Sequence, residues 1–280
     1  MFDRDAIKPQ LDQLAGSNIL VGTSSWKYEG WIGQLYSAER YEYRGKIAKT
    51  RFEAGCLEEY AEVFPTVCVD AGFYRFPNQP RHGERAGKVN ENFLNAPLFI
   101  DAFLGPISPY RDQVGVIMFE FSRFYPKDFE HGRDFVAALD GFLAQLPKEG
   151  WQYGVEMRNP GFLKPDYFQM LAGHAVTHVF NNWSQMPPVS EQIKLDGSFT
   201  TDFFAARFLL REGRSYQAAV DAFSPYKVIQ DPNPEGRAAI KALTKRSPKR
   251  PSYIFVNNRF EGDALATIAA VLKEKAVSER

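Results

Sequence analysis

Sulfur ligands are scarce in this chain of 280 residues. Its two cysteines, Cys56 and Cys68, lack Cys-x-x-Cys spacing and neighbouring ligands, which excludes a disulfide framework and marks both as reduced core thiols. Histidine is also thin. His82, His131, His174 and His178 are the whole set, and the last two flank a β-like run, where a spacing of four does not share one face. A histidine metal centre is therefore not expected, and no cofactor is. Phosphate loops, G-x-S-x-G elbows and dinucleotide fingerprints are missing, and Gly22, Gly30 and Gly33 form no such motif. No segment approaches the roughly 20 apolar residues of a membrane span, and the opening M-F-D-R-D-A-I-K has no apolar leader core. A cytoplasmic protein with no membrane partner is the expectation.

An excess of either charge is lacking too. Thirty-four basic residues balance 34 acidic ones, which disfavours coating nucleic acid by bulk attraction. One local exception is the stretch Arg75 to Asn90, with Arg75, Arg81, Arg85 and Lys88 against Glu84. At the end of a strand it would favour an anionic ligand, a phosphate, a carboxylate or a nucleic-acid backbone; its bland alternative is a solvated lid.

What is present is apolar residues, 44%, and aromatics, 15%, enough to bury a full core over 1–280 as a single domain. β-rich runs fall at 19–25, 66–71, 114–121, 152–157, 175–180, weakly at 206–210, and at 252–256. Helical patterns lie between most of them, including the run ahead of Pro147 and a closing helix for which Asp263 is the expected N-cap. Apolar strands alternating with amphipathic helices describe a parallel sheet covered on its faces, closed at this length as a TIM-type (β/α)8 barrel. Seven runs are visible where about eight are wanted. Between Tyr74 and Val114 there is one helix, near Pro97 to Leu104, and no convincing strand.

Several motifs carry a resemblance. G-T-S-S-W (Gly22 to Trp26), W-I-G-Q-L-Y (Trp31 to Tyr36), F-P-T-V-C-V-D-A-G-F-Y-R (Phe64 to Arg75), V-E-M-R-N-P-G-F (Val155 to Phe162) and F-V-N-N-R-F-E-G (Phe255 to Gly262) resemble, in order, the YecE-like family, domain of unknown function 72. The resemblance implies a TIM-type barrel with its characteristic residues at the C-terminal strand ends, and no established activity. The chain departs from the family pattern at Cys68 and Asp70, where many relatives read Glu and Asn, and in lacking a strand of F-x-F-x-x-K-x-P type. One βα unit is expected to be missing between Tyr74 and Asn78, marked by a break in the Cα spacing of about 3.8 Å.

In such a barrel the loops after the strands form the active face. That selects Ser24, Ser25 and Trp26, then Asp70, Tyr74, Arg75, Glu120, Glu156, Arg158, Asn181, Asn182, Trp183, Asn257, Asn258 and Glu261. The resembling motifs contain Trp26, Tyr74, Glu156, Arg158, Asn257, Asn258 and Glu261. Residues two apart share a strand face, so Gln152, Gly154, Glu156 and Arg158 point together, away from the bulky Trp151, Tyr153, Val155 and Met157. Glu156 is thus expected at the barrel mouth as general acid or base, with Arg158 fixing an anionic group and Asp70 beside them. Each assignment has a structural alternative. Glu156 and Arg158 can be an ion pair that closes the barrel, Glu120 can pair with Arg123, and Glu261 can serve a helix terminus. Asn181 and Asn182 can hold turns, the tryptophans can be rim packing, and either Asn257 or Asn258 can be the inward residue.

Three functions remain. The first is an enzyme of hydrolase or isomerase type, working by carboxylate acid/base chemistry on a small polar, anionic or sugar-like substrate. The second is nucleic-acid binding or processing of the metal-dependent barrel-nuclease kind, with a carboxylate magnesium site at Asp70, Glu120 and Glu156. The third is a non-catalytic ligand-binding or partner protein.

Overall fold

Six parallel strands carry the fold in the computed structural model, which describes residues 2–69, 93–124, 128–129 and 131–273. They are β1 (Ile19–Thr23), β2 (Val116–Phe121), β3 (Gln152–Met157), β4 (Thr177–Asn182), β5 (Ala205–Phe208) and β6 (Ser252–Val256). Their order across the sheet is β1-β6-β5-β4-β3-β2. The weak run expected at 206–210 is a full strand shifted to Ala205–Phe208, and Leu210 N then caps the end of β4 by donating to Asn182 O at 3.0 Å.

Side-chain alternation curls this sheet. Leu20, Val116, Met118, Val179, Ala205, Tyr253 and Phe255 pack with Cys68 into one interior cluster, although β1 and β2 stand at opposite ends of the strand order. Tyr253 spans the interior and donates to Gln152 Oε1 at 3.4 Å. At Gly154 a Cβ would lie 2.7 Å from Val179 Cγ2 and 3.0 Å from Thr177 Cγ2, so glycine is what lets β3 approach β4 there. The arrangement is TIM-like, with no closed ladder among the described residues. Of the run expected at 66–71, the described residues form a single parallel bridge, Val67 to Thr23, with Cys68 N donating to Thr23 O at 3.0 Å. The expected break between Tyr74 and Asn78 lies outside the described residues.

The outward faces of the strands are covered by helices whose buried positions follow the helical repeat. α1 (Arg4–Ala15) starts where Asp3 accepts from the Asp5 and Ala6 amides and buries Ile7, Leu11 and Leu14. α2 (Lys49–Ala61) buries Phe52, Cys56, Glu59 and Tyr60, and α3 (Gly132–Ala144) buries Phe135, Leu139, Phe142 and Leu143. α4 (Pro165–Gly173), α5 (Tyr216–Phe223), α6 (Pro234–Thr244) and α7 (Ala264–Lys273) complete the coat, with proline at the first turn of α4 and α6, where no amide donor is lost. Asp263 heads α7 as expected, its Oδ1 accepting from Leu265 N at 3.0 Å. The helix expected near Pro97 to Leu104 is an α-turn over Ala96–Phe99 followed by a π-helical turn over Ile100–Leu104. Both cysteines are buried, and neither forms a disulfide.

Candidate functional site

The inward positions of β2 run Val116, Met118, Glu120, and those of β3 run Gln152, Gly154, Glu156, as the two-residue repeat requires. Uncharged at the bottom, both rows end in a carboxylate near the C-terminal end of the strand. The register sets Glu120 directly beside Glu156. Two like charges side by side in a sheet repel, and two guanidiniums resolve the conflict.

Arg207 on β5 reaches across β4, placing Nη1 2.6 Å from Glu156 Oε2 and 3.1 Å from Glu120 Oε2. Arg158, just past β3, places Nε 2.8 Å from Glu156 Oε1 and Nη2 2.7 Å from Glu120 Oε2. Its position is fixed by the backbone, since Arg158 N donates to Phe121 O at 3.0 Å and extends the ladder by one residue. Trp183, after β4, covers the outer face of that guanidinium, with the Arg158 Cζ 3.7 Å from the ring centroid. The result is an alternating square of two cations and two anions.

Its members differ in access. The Glu156 side chain is 0% exposed and both of its oxygens are held by guanidiniums, whereas Glu120 is 14% exposed. Glu120 Oε1 makes no hydrogen bond among the described residues. Burial pushes both carboxyls up, but for Glu156 the attraction of Arg207 and then Arg158 prevails, leaving it below the ordinary carboxylate range. For Glu120, burial first and the neighbouring Glu156 charge second outweigh the two arginines, and it titrates above that range. The same two guanidiniums thus leave the neighbouring carboxyls displaced in opposite directions.

The expected pair Glu156 and Arg158 is therefore brought together, as an ion pair inside a larger cluster. Glu120 joins them through Arg158 and Arg207 in place of the expected Arg123, whose Nη1 bonds Gln185 Oε1 at 2.7 Å. Asn181 lies at the inward end of β4, donates from Nδ2 to Met157 O at 3.1 Å, and keeps a buried Oδ1 without a partner among the described residues. Trp26 packs against the large core cluster, with Lys27 Nζ 5.3 Å from its ring centroid. Asn182 Oδ1 accepts from Val189 N at 3.4 Å, bracing a loop.

The motif at the end of β6 uses its oxygens in structural contacts. Asn257 Oδ1 accepts from Arg259 N at 2.9 Å and starts the short helix Asn258–Glu261, while Asn258 Oδ1 accepts from Ala264 N at 2.8 Å. Glu261, wholly buried, takes a two-nitrogen ion pair from Arg237 at 2.9 and 3.0 Å and the Thr267 hydroxyl at 2.6 Å, pinning α6 to α7. Asp70, Tyr74 and Arg75, with the rest of the basic stretch to Asn90, lie outside the described residues.

Sequence reasoning missed Arg207. The signal was a lone cation in the apolar run A-A-R-F-L-L, because a charge on a buried strand demands a partner. No group of three or more potential metal ligands occurs among the described residues. A magnesium ion between Glu120 and Glu156 would also face two guanidiniums already bonded to them, so the donors fit it poorly.

Residues 20–97 and 95–279 match the family model described as protein of unknown function DUF72. No curated protein matches the chain. Among solved structures, a DUF72 family protein from Enterococcus faecalis V583 is similar at 17% identity and TM-score 0.58, covering 94% of this chain and 97% of its own. One from Thermotoga maritima MSB8 is similar at 18% identity and TM-score 0.56, over 94% of this chain and 99% of its own. At these identities the likeness establishes the fold.

Proposed function

The chain belongs to the DUF72 family, whose function is unknown, and from that premise we propose that its C-terminal strand ends bind a small polar ligand and exchange a proton with it through Glu120. What supports this reading is the unequal setting of two carboxyls bound by the same Arg207 nitrogen: Glu156 is wholly buried with both oxygens on guanidiniums, Glu120 reaches solvent, and their surroundings displace them in opposite directions. Separating the proton affinities of neighbouring carboxyls is how one site supplies both a fixed charge and a proton carrier at neutral pH.

The roles follow from access. Glu156, expected from sequence to move the proton, serves here as the buried anion that holds both guanidiniums in place. Glu120 is the proton carrier, with one oxygen on the guanidiniums and the other open to a ligand. Arg158, flattened under Trp183, and Arg207 orient polar groups, and Trp183 offers an aromatic edge suited to a sugar-like body. This supports acid/base chemistry of hydrolase or isomerase type. The nucleic-acid reading draws less support, because both guanidiniums are neutralised by carboxylates and add little attraction for a phosphate backbone.

Carboxyl-detected NMR titration tests the assignment without a substrate: Glu120 should titrate above the ordinary range, and a Glu120 at or below it overturns the reading. In a screen of small sugar-like and anionic substrates, Glu120→Gln should lower any turnover by about a hundredfold or more. Wild-type turnover in that variant would also overturn it.

A further inference from the structure

The two guanidiniums converge on a single oxygen. Glu120 Oε2 lies 2.7 Å from Arg158 Nη2 and 3.1 Å from Arg207 Nη1, two donors arriving from different strands. Such convergence is the way proteins hold one oxygen of a carboxylate or phosphate group. From the other side Glu156 grips the same two arginines through separate oxygens at 2.8 and 2.6 Å. Withdrawal of Glu120 would thus leave both donors aimed at the vacated point, and Glu120 is the carboxylate of the pair that reaches solvent.

Charge counting adds a constraint. Among the described residues, the charged groups facing Glu120 are Glu156 and Arg158 from β3 and its end, and Arg207 from β5. With Glu120 ionised the four groups sum to zero; with Glu120 protonated they carry one positive charge. An entering anion is therefore repelled by Glu120 in one state and balanced in the other.

We propose that the position of Glu120 Oε2 is the seat of a small oxyanion, of carboxylate or phosphate type, which Glu120 fills in the free protein and leaves by taking up a proton. Glu120 is then an internal stand-in for the ligand. This inference rests on the reading of Glu120 as proton carrier and goes further by naming the ligand class and its linkage to pH. No bond other than the O–H of the Glu120 carboxyl forms or breaks; the proton comes from solvent. Sign follows from linkage: protonation precedes entry, so anion affinity is full below the folded pKa of Glu120 and falls about tenfold per pH unit above it.

Isothermal titration calorimetry of the whole chain with sulfate, and separately with acetate, tests this in buffers of different ionisation enthalpy. Sulfate keeps its charge across the working pH range, so any proton uptake belongs to the protein. Wild type should take up about one proton per anion and lose affinity on the alkaline side. Glu120→Gln, whose amide carries no charge, should bind sulfate with affinity flat in pH and tighter than wild type at alkaline pH. Binding by wild type that ignores pH, or a folded glutamine variant that binds neither anion, overturns the proposal. Should the glutamine variant not fold, Glu120→Asp keeps the charge but retracts it by one methylene. Tighter sulfate binding than wild type then supports the seat, and equal or weaker binding overturns it. If Glu120 titrates high by NMR while neither anion binds, the seat fails and the proton carrier survives; a Glu120 that titrates normally ends both.

Discussion

Arg207 Nη1 meets Glu156 Oε2 at 2.6 Å, joining β5 to β3 over the intervening strand β4. The contact links strands across one level of the interior, where Glu156 is wholly buried and Arg207 nearly so. Losing one partner of such a buried pair strands the other as an uncompensated charge.

Arg207→Met tests this directly. It should cost about 3–5 kcal/mol at neutral pH. Arg207 is the strongest force holding Glu156 below the ordinary carboxylate range, so in the variant burial wins and the Glu156 pKa rises. The wild-type contribution of Glu156 is present above the unfolded carboxylate pKa and is lost as pH falls through its depressed folded value. The deficit of the variant should accordingly shrink towards acid pH in denaturant melts. A deficit constant with pH would show that packing, not charge, is being measured.

Glu120 should behave in the opposite sense. Its folded pKa is raised, so its contribution to stability is full below the unfolded value and lost as pH rises through the folded one. Glu120→Gln removes that slope; melting temperatures of variant and wild type should diverge in favour of the variant towards alkaline pH.

Asp263 supplies an independent case away from the charge cluster. Burial lifts its carboxyl to about 6 against the pull of the Leu265 and Ala266 amides. Wild-type stability should therefore fall as pH rises through about 6, by about 3 kcal/mol in all. Asp263→Asn keeps an amide-accepting oxygen for α7 and should abolish that fall, measured as the melting temperature at acid and alkaline pH.

Glu261→Gln should be destabilising by about 3 kcal/mol, because it leaves Arg237 facing a neutral group between α6 and α7. The Glu120 carboxyl resonance should not move in this variant. A shift there would tie the motif at the end of β6 to the mouth after all.

Trp183→Leu keeps apolar cover but removes the π face stacked 3.7 Å from the Arg158 guanidinium. A loss of about 1 kcal/mol in anion affinity is expected by calorimetry, with little change in melting temperature.

Strand and helix alternation was legible because each run is bounded by turn formers and its period is unambiguous. The inward direction of Glu156 followed from parity alone, since Trp151, Tyr153, Val155 and Met157 had to face the helices. What parity cannot give is register between strands. That Glu120 stands beside Glu156, and that Arg207 falls within reach of both, depends on the stagger of β2, β3 and β5. The same ambiguity hid the roles of Asn257, Asn258 and Glu261. Their motif reads as a polar site, and its oxygens are engaged by a helix cap, the start of α7 and Arg237, while Asn258 Nδ2 stays buried without a partner among the described residues.

Among the described residues, the four charged groups at the mouth sit on strands or one residue beyond, while the residues that follow β3, β4 and β5 form loops. A chimera that exchanges those loops would therefore inherit its proton inventory intact. On the proposed reading, ligand preference and proton exchange are in this sense separable, and the sheet is a chassis on which loops can be exchanged without rebuilding the charged square.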